Sequence, residues 1–176
     1  MPQATYNTLQ LQNTAKINEL QESVRPLAQN LLRLAADQGI QLKIVSGYRS
    51  PAQQQALKDS GKGVTNAGAL LSYHNYGLAF DVAPVEYLSM PDWNPTGLLW
   101  SKVGAIGKSV GLDWGGDWKK KDLPHFQLTG APIQELKSYF EKFGEIMPIK
   151  IEPTTIGIVG ILLVVGVVLY LYKDQL

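Results

Sequence analysis

This chain of 176 residues contains two histidines, and each lies near a carboxylate. His74 falls in Ser72-Tyr73-His74-Asn75-Tyr76-Gly77-Leu78-Ala79-Phe80-Asp81, seven positions before Asp81. His125 falls in Asp122-Leu123-Pro124-His125-Phe126, three positions after Asp122. Two imidazoles and one carboxylate make a three-ligand set for zinc. They leave a fourth position open, which separates a catalytic zinc site from a structural one. The chain has no cysteine, so disulfides and thiolate ligands are excluded and a zinc here takes nitrogen and oxygen donors.

Gly77 argues against one helix carrying both His74 and Asp81, because an interior glycine costs about 1 kcal/mol relative to alanine. The arrangement is therefore not the His-Glu-x-x-His pattern of two ligands on one helix face. From Leu78 the residues alternate. Leu78, Phe80 and Val82 point one way, Ala79 and Asp81 the other, which predicts a strand. Such a strand would hold Asp81 rigidly, with small Ala79 leaving room beside a metal and His74 delivered from the preceding loop. The same residues also fit an edge strand ending in an ordinary aspartate, with His74 on a surface loop. Pro124 biases Leu123 to an extended conformation, so Asp122 and His125 share a bent segment that can present both to one site. Metal-assisted hydrolysis needs a carboxylate to take the proton of the attacking water and return it to the leaving amine. Asp122 is the candidate; otherwise it is a turn or N-cap aspartate. Arg49 offers a planar fork of donors that fits a carboxylate, and is otherwise a surface arginine.

Taken together, Ser46-Gly47-Tyr48-Arg49-Ser50 with Gln54, Ser72-x-His74-x-x-Gly77-x-Ala79-x-Asp81, Trp114-Gly115-Gly116-Asp117-Trp118 and Asp122-x-Pro124-His125-Phe126 resemble the VanY/M15 family of zinc peptidases. The likeness is greatest to its L-alanyl-D-glutamate peptidase branch, which includes many phage endolysins, and runs in order over about residues 29–128. The resemblance implies a Zn2+ cofactor on His74, Asp81 and His125, with Asp122 as catalytic base. It implies that Arg49 holds a substrate carboxylate or the oxyanion. Ser46, Gln54, Ser72 and Trp118 are the candidate substrate contacts within these motifs. The fold it implies is α+β, a small antiparallel sheet with flanking helices of the Hedgehog and D,D-peptidase type. The implied substrate is bacterial peptidoglycan.

The remaining elements must position these residues. Ile17, Leu20, Val24, Leu27, Leu31 and Leu34 recur at steps of three and four, an amphipathic stripe beginning near Thr14. Pro26 breaks or kinks it, and Gly39 ends it. Residues 41–45 read as a strand delivering Ser46 to Arg49 at its end. Residues 51–57 read as a helix with Ser50 as N-cap and Pro51 at its first position. Gly61-Lys62-Gly63 lacks the spacing of a phosphate loop. Residues 90–100 read as a loop in which Trp93 and Trp100 suit core packing better than a cleft wall. Helices are expected over 102–110 and, after Pro132, over 133–143. The segment 126–128 closes the sheet, and Lys119-Lys120-Lys121 reads as a solvated loop.

Net charge is +1, so no strong electrostatic partner is implied and a nucleic-acid footprint is absent. Residues 1–6 show no basic start followed by an apolar core, so no secretory signal is visible. Residues 156–172 carry no charge and are rich in Ile, Leu and Val. Their helical length of about 25 Å is near the lower limit for crossing a bilayer's hydrocarbon, with Tyr170, Tyr172 and Lys173 at one end. The expected organisation is a peptidase domain over 1–146, a linker over 147–155, a C-terminal transmembrane helix over 156–172 that contacts the lipid bilayer, and a tail over 173–176. That organisation places the chain in a membrane as a single-pass protein, in the virion of a membrane-containing phage or on a host cell. Two rivals are a D,D-carboxypeptidase of the same family and a non-enzymatic, zinc-stabilised membrane or virion protein.

Overall fold

A computed structural model describes residues 2–61, 65–87 and 97–151 of the chain. Four antiparallel strands make one sheet: β1 (Leu42–Ser46), β2 (Ala79–Pro84), β3 (Asp113–Trp114) and β4 (His125–Gln127), in the order β1-β2-β4-β3. Phe80 and Val82 of β2 are fully buried on one face, and Phe80 stacks on Phe126 of β4 with ring centroids 6.1 Å apart. Burying side chains of this size contributes roughly 1.5–3 kcal/mol each. The opposite face of β2 carries Asp81, as the alternation requires.

Helices cover that apolar face. The amphipathic stripe is two helices, α1 (Gln3–Asn18) and α2 (Arg25–Asp37). The chain turns between them and Pro26 lies in the first turn of α2, where its missing N–H is not needed. Gly39 follows α2 at φ 78°. Helix α1 begins well before Thr14, and the reason is its contact with the sheet. Its buried positions Leu9, Asn13 and Ile17 include a polar residue that the apolar count skipped. Asn13 Nδ2 donates to the Leu42 carbonyl at 3.0 Å, and the Ile44 N–H donates to Asn13 Oδ1 at 2.8 Å. One side chain thus satisfies the outer edge of β1, an edge that otherwise invites pairing with another chain.

Helix α3 (Pro51–Asp59) starts with a full capping box between Ser50 and Gln53. Helix α4 (Gly97–Ser109) begins five residues before the expected Lys102, because Trp100 belongs to it and is buried in the core at 1% exposure. Its interior Gly104 and Gly107 lie flat against Trp114 and Phe126. Their lost helix propensity is thus exchanged for close packing on the sheet. Helix α5 (Ile133–Phe143) occupies its predicted span.

Residues 147–151, the described part of the expected linker, lie on the domain: Met147, Ile149 and Ile151, with Ile146 before them, pack against the core. Gln21 clamps this segment: its Nε2 donates to the Met147 carbonyl at 3.1 Å, and the Ile149 N–H donates to its Oε1 at 2.9 Å. A chain ended after Ile151 should keep the domain's melting temperature. One ended after Glu145 should lose at least about 2 kcal/mol, from two hydrogen bonds near 1 kcal/mol each and the apolar contacts. Equal melting temperatures for the two truncations would show that the clamp contributes nothing. Among the described residues no helix is long and apolar enough to cross a membrane. The predicted span 156–172, its flanks from 152 onward, and Trp93 lie outside them.

Candidate metal centre

Strand register assembles the site. Asp81 of β2 pairs directly with His125 of β4 and, on its other side, with Ser46 of β1. Between Ile44 and Ser46 the register slips by one residue, a bulge that leaves Val45 exposed beside the site and turns the chain toward Arg49. His74 arrives from a 3-10 turn, Tyr73–Tyr76. Ser72 caps that turn through its hydroxyl, which accepts from the His74 N–H at 3.4 Å. Gly77 closes it at φ 64°, a left-handed conformation that a side chain would strain. The Arg49 N–H donates to the His74 carbonyl at 3.0 Å, and Asn75 Nδ2 donates to the Arg49 carbonyl at 2.8 Å. The two loops are thereby stitched together.

His74, Asp81 and His125 each offer a donor atom, all within 4.8 Å of one another, the one such group among the described residues. His74 Nε2 lies 3.4 Å from Asp81 Oδ1, and His125 Nδ1 lies 3.2 Å from the same oxygen. A tetrahedron built on metal–ligand bonds of about 2.0–2.1 Å has edges of about 3.3–3.4 Å. The two spacings from Asp81 therefore suit zinc. The other nitrogen of each ring is already engaged. His74 Nδ1 is 2.8 Å from the Gly47 carbonyl, and His125 Nε2 is 3.0 Å from Gln127 Oε1. Such outer partners orient ligating imidazoles. The three residues fit a zinc ion.

Without metal, Asp81 and His125 perturb each other's ionisation. Burial opposes ionisation of Asp81, but hydrogen bonds and positive charge from His125 and His74 outweigh it and hold the carboxyl far below the usual carboxylate range. Burial also opposes the charge on His125, yet Asp81 and Gln127 raise its pKa above the usual histidine value. The sign follows for each. Asp81 stabilises the metal-free fold above its unfolded pKa near 4, and that contribution is lost as pH falls through the lowered folded value. His125 stabilises it below about 6.5, and that contribution is lost as pH rises through the raised folded value. Zinc binding requires the neutral imidazole, so the loaded protein should behave in the opposite sense. In chelator, the melting temperature should fall between about pH 6 and 8; in excess zinc it should rise over the same interval. Parallel curves would mean that Asp81 does not hold His125 charged.

A cleft of about 590 Å³ opens over the cluster, with Arg49, Ser72, Trp118 and Asp122 in its wall beside the three ligand residues. Trp118 is 40% exposed and its ring sits 5.0 Å from that of His125. Asp122 stands apart from the ligand group. Its carboxyl pKa is pushed up by burial, with the negative Asp81 adding to the effect against the pull of His125. Gly115 makes its placement possible. The Asp122 N–H donates to the Gly115 carbonyl at 3.0 Å and the His125 N–H to the Asp122 carbonyl at 3.1 Å. A Cβ on Gly115 would collide with the Asp122 carbonyl and crowd the β-carbons of Asp122 and His125.

Two of the expected substrate contacts have a different place. Gln54 has no exposed surface; its Oε1 accepts from Arg49 Nη1 at 2.8 Å, and its Nε2 donates to the Ala67 carbonyl at 2.8 Å. Ser46 Oγ accepts from Arg49 Nη2 at 3.0 Å. Both aim the guanidinium, and a fully buried amide cannot reach a ligand in the cleft. Sequence reasoning missed Gln127 altogether. The available signal was its i,i+2 spacing from His125, which puts both on one face of a strand.

Two buried histidines and a half-buried aspartate, open to a cleft on a small antiparallel sheet, define a metal centre of the catalytic kind. A family profile described as D-alanyl-D-alanine carboxypeptidase, of the M15 peptidases, matches residues 65–128. The peptidoglycan L-alanyl-D-glutamate endopeptidase CwlK of Bacillus subtilis (strain 168) is 38% identical over 135 residues, which is 67% of this chain and 78% of that protein. The L-alanyl-D-glutamate peptidase of Listeria phage A118 is 33% identical over 120 residues, 65% of this chain and 40% of that one. The crystal structure of Serratia marcescens L-Ala D-Glu endopeptidase ChiX superposes with a TM-score of 0.53 at 24% identity, covering 73% of this chain and 90% of that chain. The chain belongs to the M15 peptidase family and is a zinc metallopeptidase.

Proposed function

We propose that the chain hydrolyses the amide between L-alanine and D-glutamate in the stem peptide of bacterial peptidoglycan. The observation that carries this reading is the 38% identity to a peptidoglycan L-alanyl-D-glutamate endopeptidase across most of both chains. When bound by His74, Asp81 and His125, zinc supplies Lewis acidity and lowers the pKa of a water toward 7. Asp122 takes a proton from the attacking water and returns it to the leaving amine. Its place in the cleft wall beside the three ligand residues, without being one of them, suits a general base. Asp117, the other carboxylate of this loop, is tied to Lys108 at 2.7 Å and is not among the residues lining the cleft, which favours Asp122. Arg49 is steadied by Ser46 and Gln54 and lines the cleft. A glutamate joined onward through one carboxyl keeps the other free, and the guanidinium fork suits that group.

A second reading, removal of the terminal D-alanine, is favoured by the description of the matching family profile. Mass spectrometry of digested wall fragments separates the two. Cleavage at the proposed bond creates a new D-glutamate amino terminus and leaves the D-alanine end intact. Loss of only the terminal D-alanine would overturn it. The apolar run 156–172 supports the further reading that the domain is held on a bilayer, in a virion or on a host cell, for wall penetration or lysis. Alkaline extraction of membranes from cells producing the full chain tests this; release into the soluble fraction would overturn it.

A further inference from the structure

We propose that Gln127 is a positioning residue for the metal centre, holding His125 in the tautomer whose Nδ1 is free to ligate. The proposal rests on the zinc reading of the site. The two imidazoles present different nitrogens to the same point. His74 is settled by the backbone: its Nδ1 faces the Gly47 carbonyl at 2.8 Å. A carbonyl only accepts, so Nδ1 carries the proton and Nε2 keeps its lone pair. His125 has no backbone partner of that kind. Its Nε2 faces the side-chain amide of Gln127, with Oε1 at 3.0 Å, and its Nδ1 faces Asp81 Oδ1 at 3.2 Å.

Either ring nitrogen of His125 therefore has an acceptor for a proton. A proton on Nδ1 would bond to Asp81 and occupy the lone pair that zinc needs. A proton on Nε2 bonds to Gln127 and leaves Nδ1 open. The amide's own orientation decides between them. Its Nε2 donates to Thr129 Oγ1 at 2.8 Å, which turns Oε1 toward His125. Across the sheet Gln127 pairs with Ala79, whose small side chain leaves the amide room to reach the ring. Gln127 is 9% exposed, at the edge of the cleft wall.

The test compares Gln127→Met and Gln127→Glu in the full chain. Zinc affinity is read by competition with a chromophoric chelator, and the ring nitrogens of His125 by 15N NMR of the loaded protein. Removing the acceptor should weaken zinc binding about 10–100-fold, the range for outer partners of metal ligands. The carboxylate of Gln127→Glu only accepts, so that variant should bind zinc at least as tightly as the unmutated chain and show coordination through Nδ1. A residue that merely fills the strand would give the reverse order, since a buried carboxylate is worse tolerated than methionine. Zinc affinity of Gln127→Met within twofold of the unmutated chain would overturn the proposal. So would loss of affinity in Gln127→Glu, an outcome that remains readable if the methionine variant does not fold. An unmutated chain that takes up no zinc would instead overturn the metal centre itself.

Discussion

Asp122→Asn is expected to lower stem-peptide hydrolysis by about 10²–10⁴-fold, the usual contribution of a general acid–base group, while zinc content and fold are kept. Asparagine preserves the size of the side chain but accepts no proton. Asp122 lines the cleft and is not part of the three-residue ligand group. Its backbone holds the turn through Gly115 and His125, and those bonds survive the substitution. Rate and zinc content measured on the same preparation decide the case. Zinc lost together with activity would make Asp122 a ligand. Activity within a few-fold of the unmutated enzyme would pass the proton transfer to another group.

His74→Ala and His125→Ala should each abolish stoichiometric zinc and, with it, hydrolysis. The three donor atoms converge on one point, and a site reduced to two protein ligands holds zinc poorly. The loss should exceed the 10–100-fold typical of outer partners, which sets these variants apart from Gln127→Met. Both rings are buried, so part of any melting-temperature change will come from the cavity left behind; zinc per chain by elemental analysis is the cleaner reading. One zinc per chain in either variant would show the ligand set to be wrong. Trp118→Ala is the control for zinc content alone, because Trp118 packs beside His125 without offering a ligand atom; its place in the cleft wall keeps it from serving as a control for hydrolysis.

Much of the local structure was legible from residue type. Ser50 and Pro51 mark the start of α3 because a capping hydroxyl and a proline at the first position are local chemistry, and the cap forms as read. Pro132 and the periodic residues after it mark α5 for the same reason. The beginning of α1 was not legible. Its first turns bury little apolar surface, and the helix is held partly by Asn13 on β1, a contact between segments 29 and 31 residues apart. The beginning of α4 was missed because Trp100 read with the preceding loop, and its place in the core depends on packing against elements distant in sequence.

The chemistry available to this protein was determined by its sequence. With two histidines and no cysteine, a zinc site has few possible donor sets, and the alternation around Asp81 and the proline before His125 limit how they can face. What the sequence left open is which side chains meet the substrate and which only aim those that do. Ser46 and Gln54 sit in the same motifs as Arg49, yet they hold its guanidinium from behind. Gln127 carries no charge and no motif, yet it faces the ring of His125. The bulge at Val45 and the pairing of Asp81 with both Ser46 and His125 decide this. Register and burial depend on strands joined across the sheet, and a side chain's role follows from the face and depth at which that pairing leaves it.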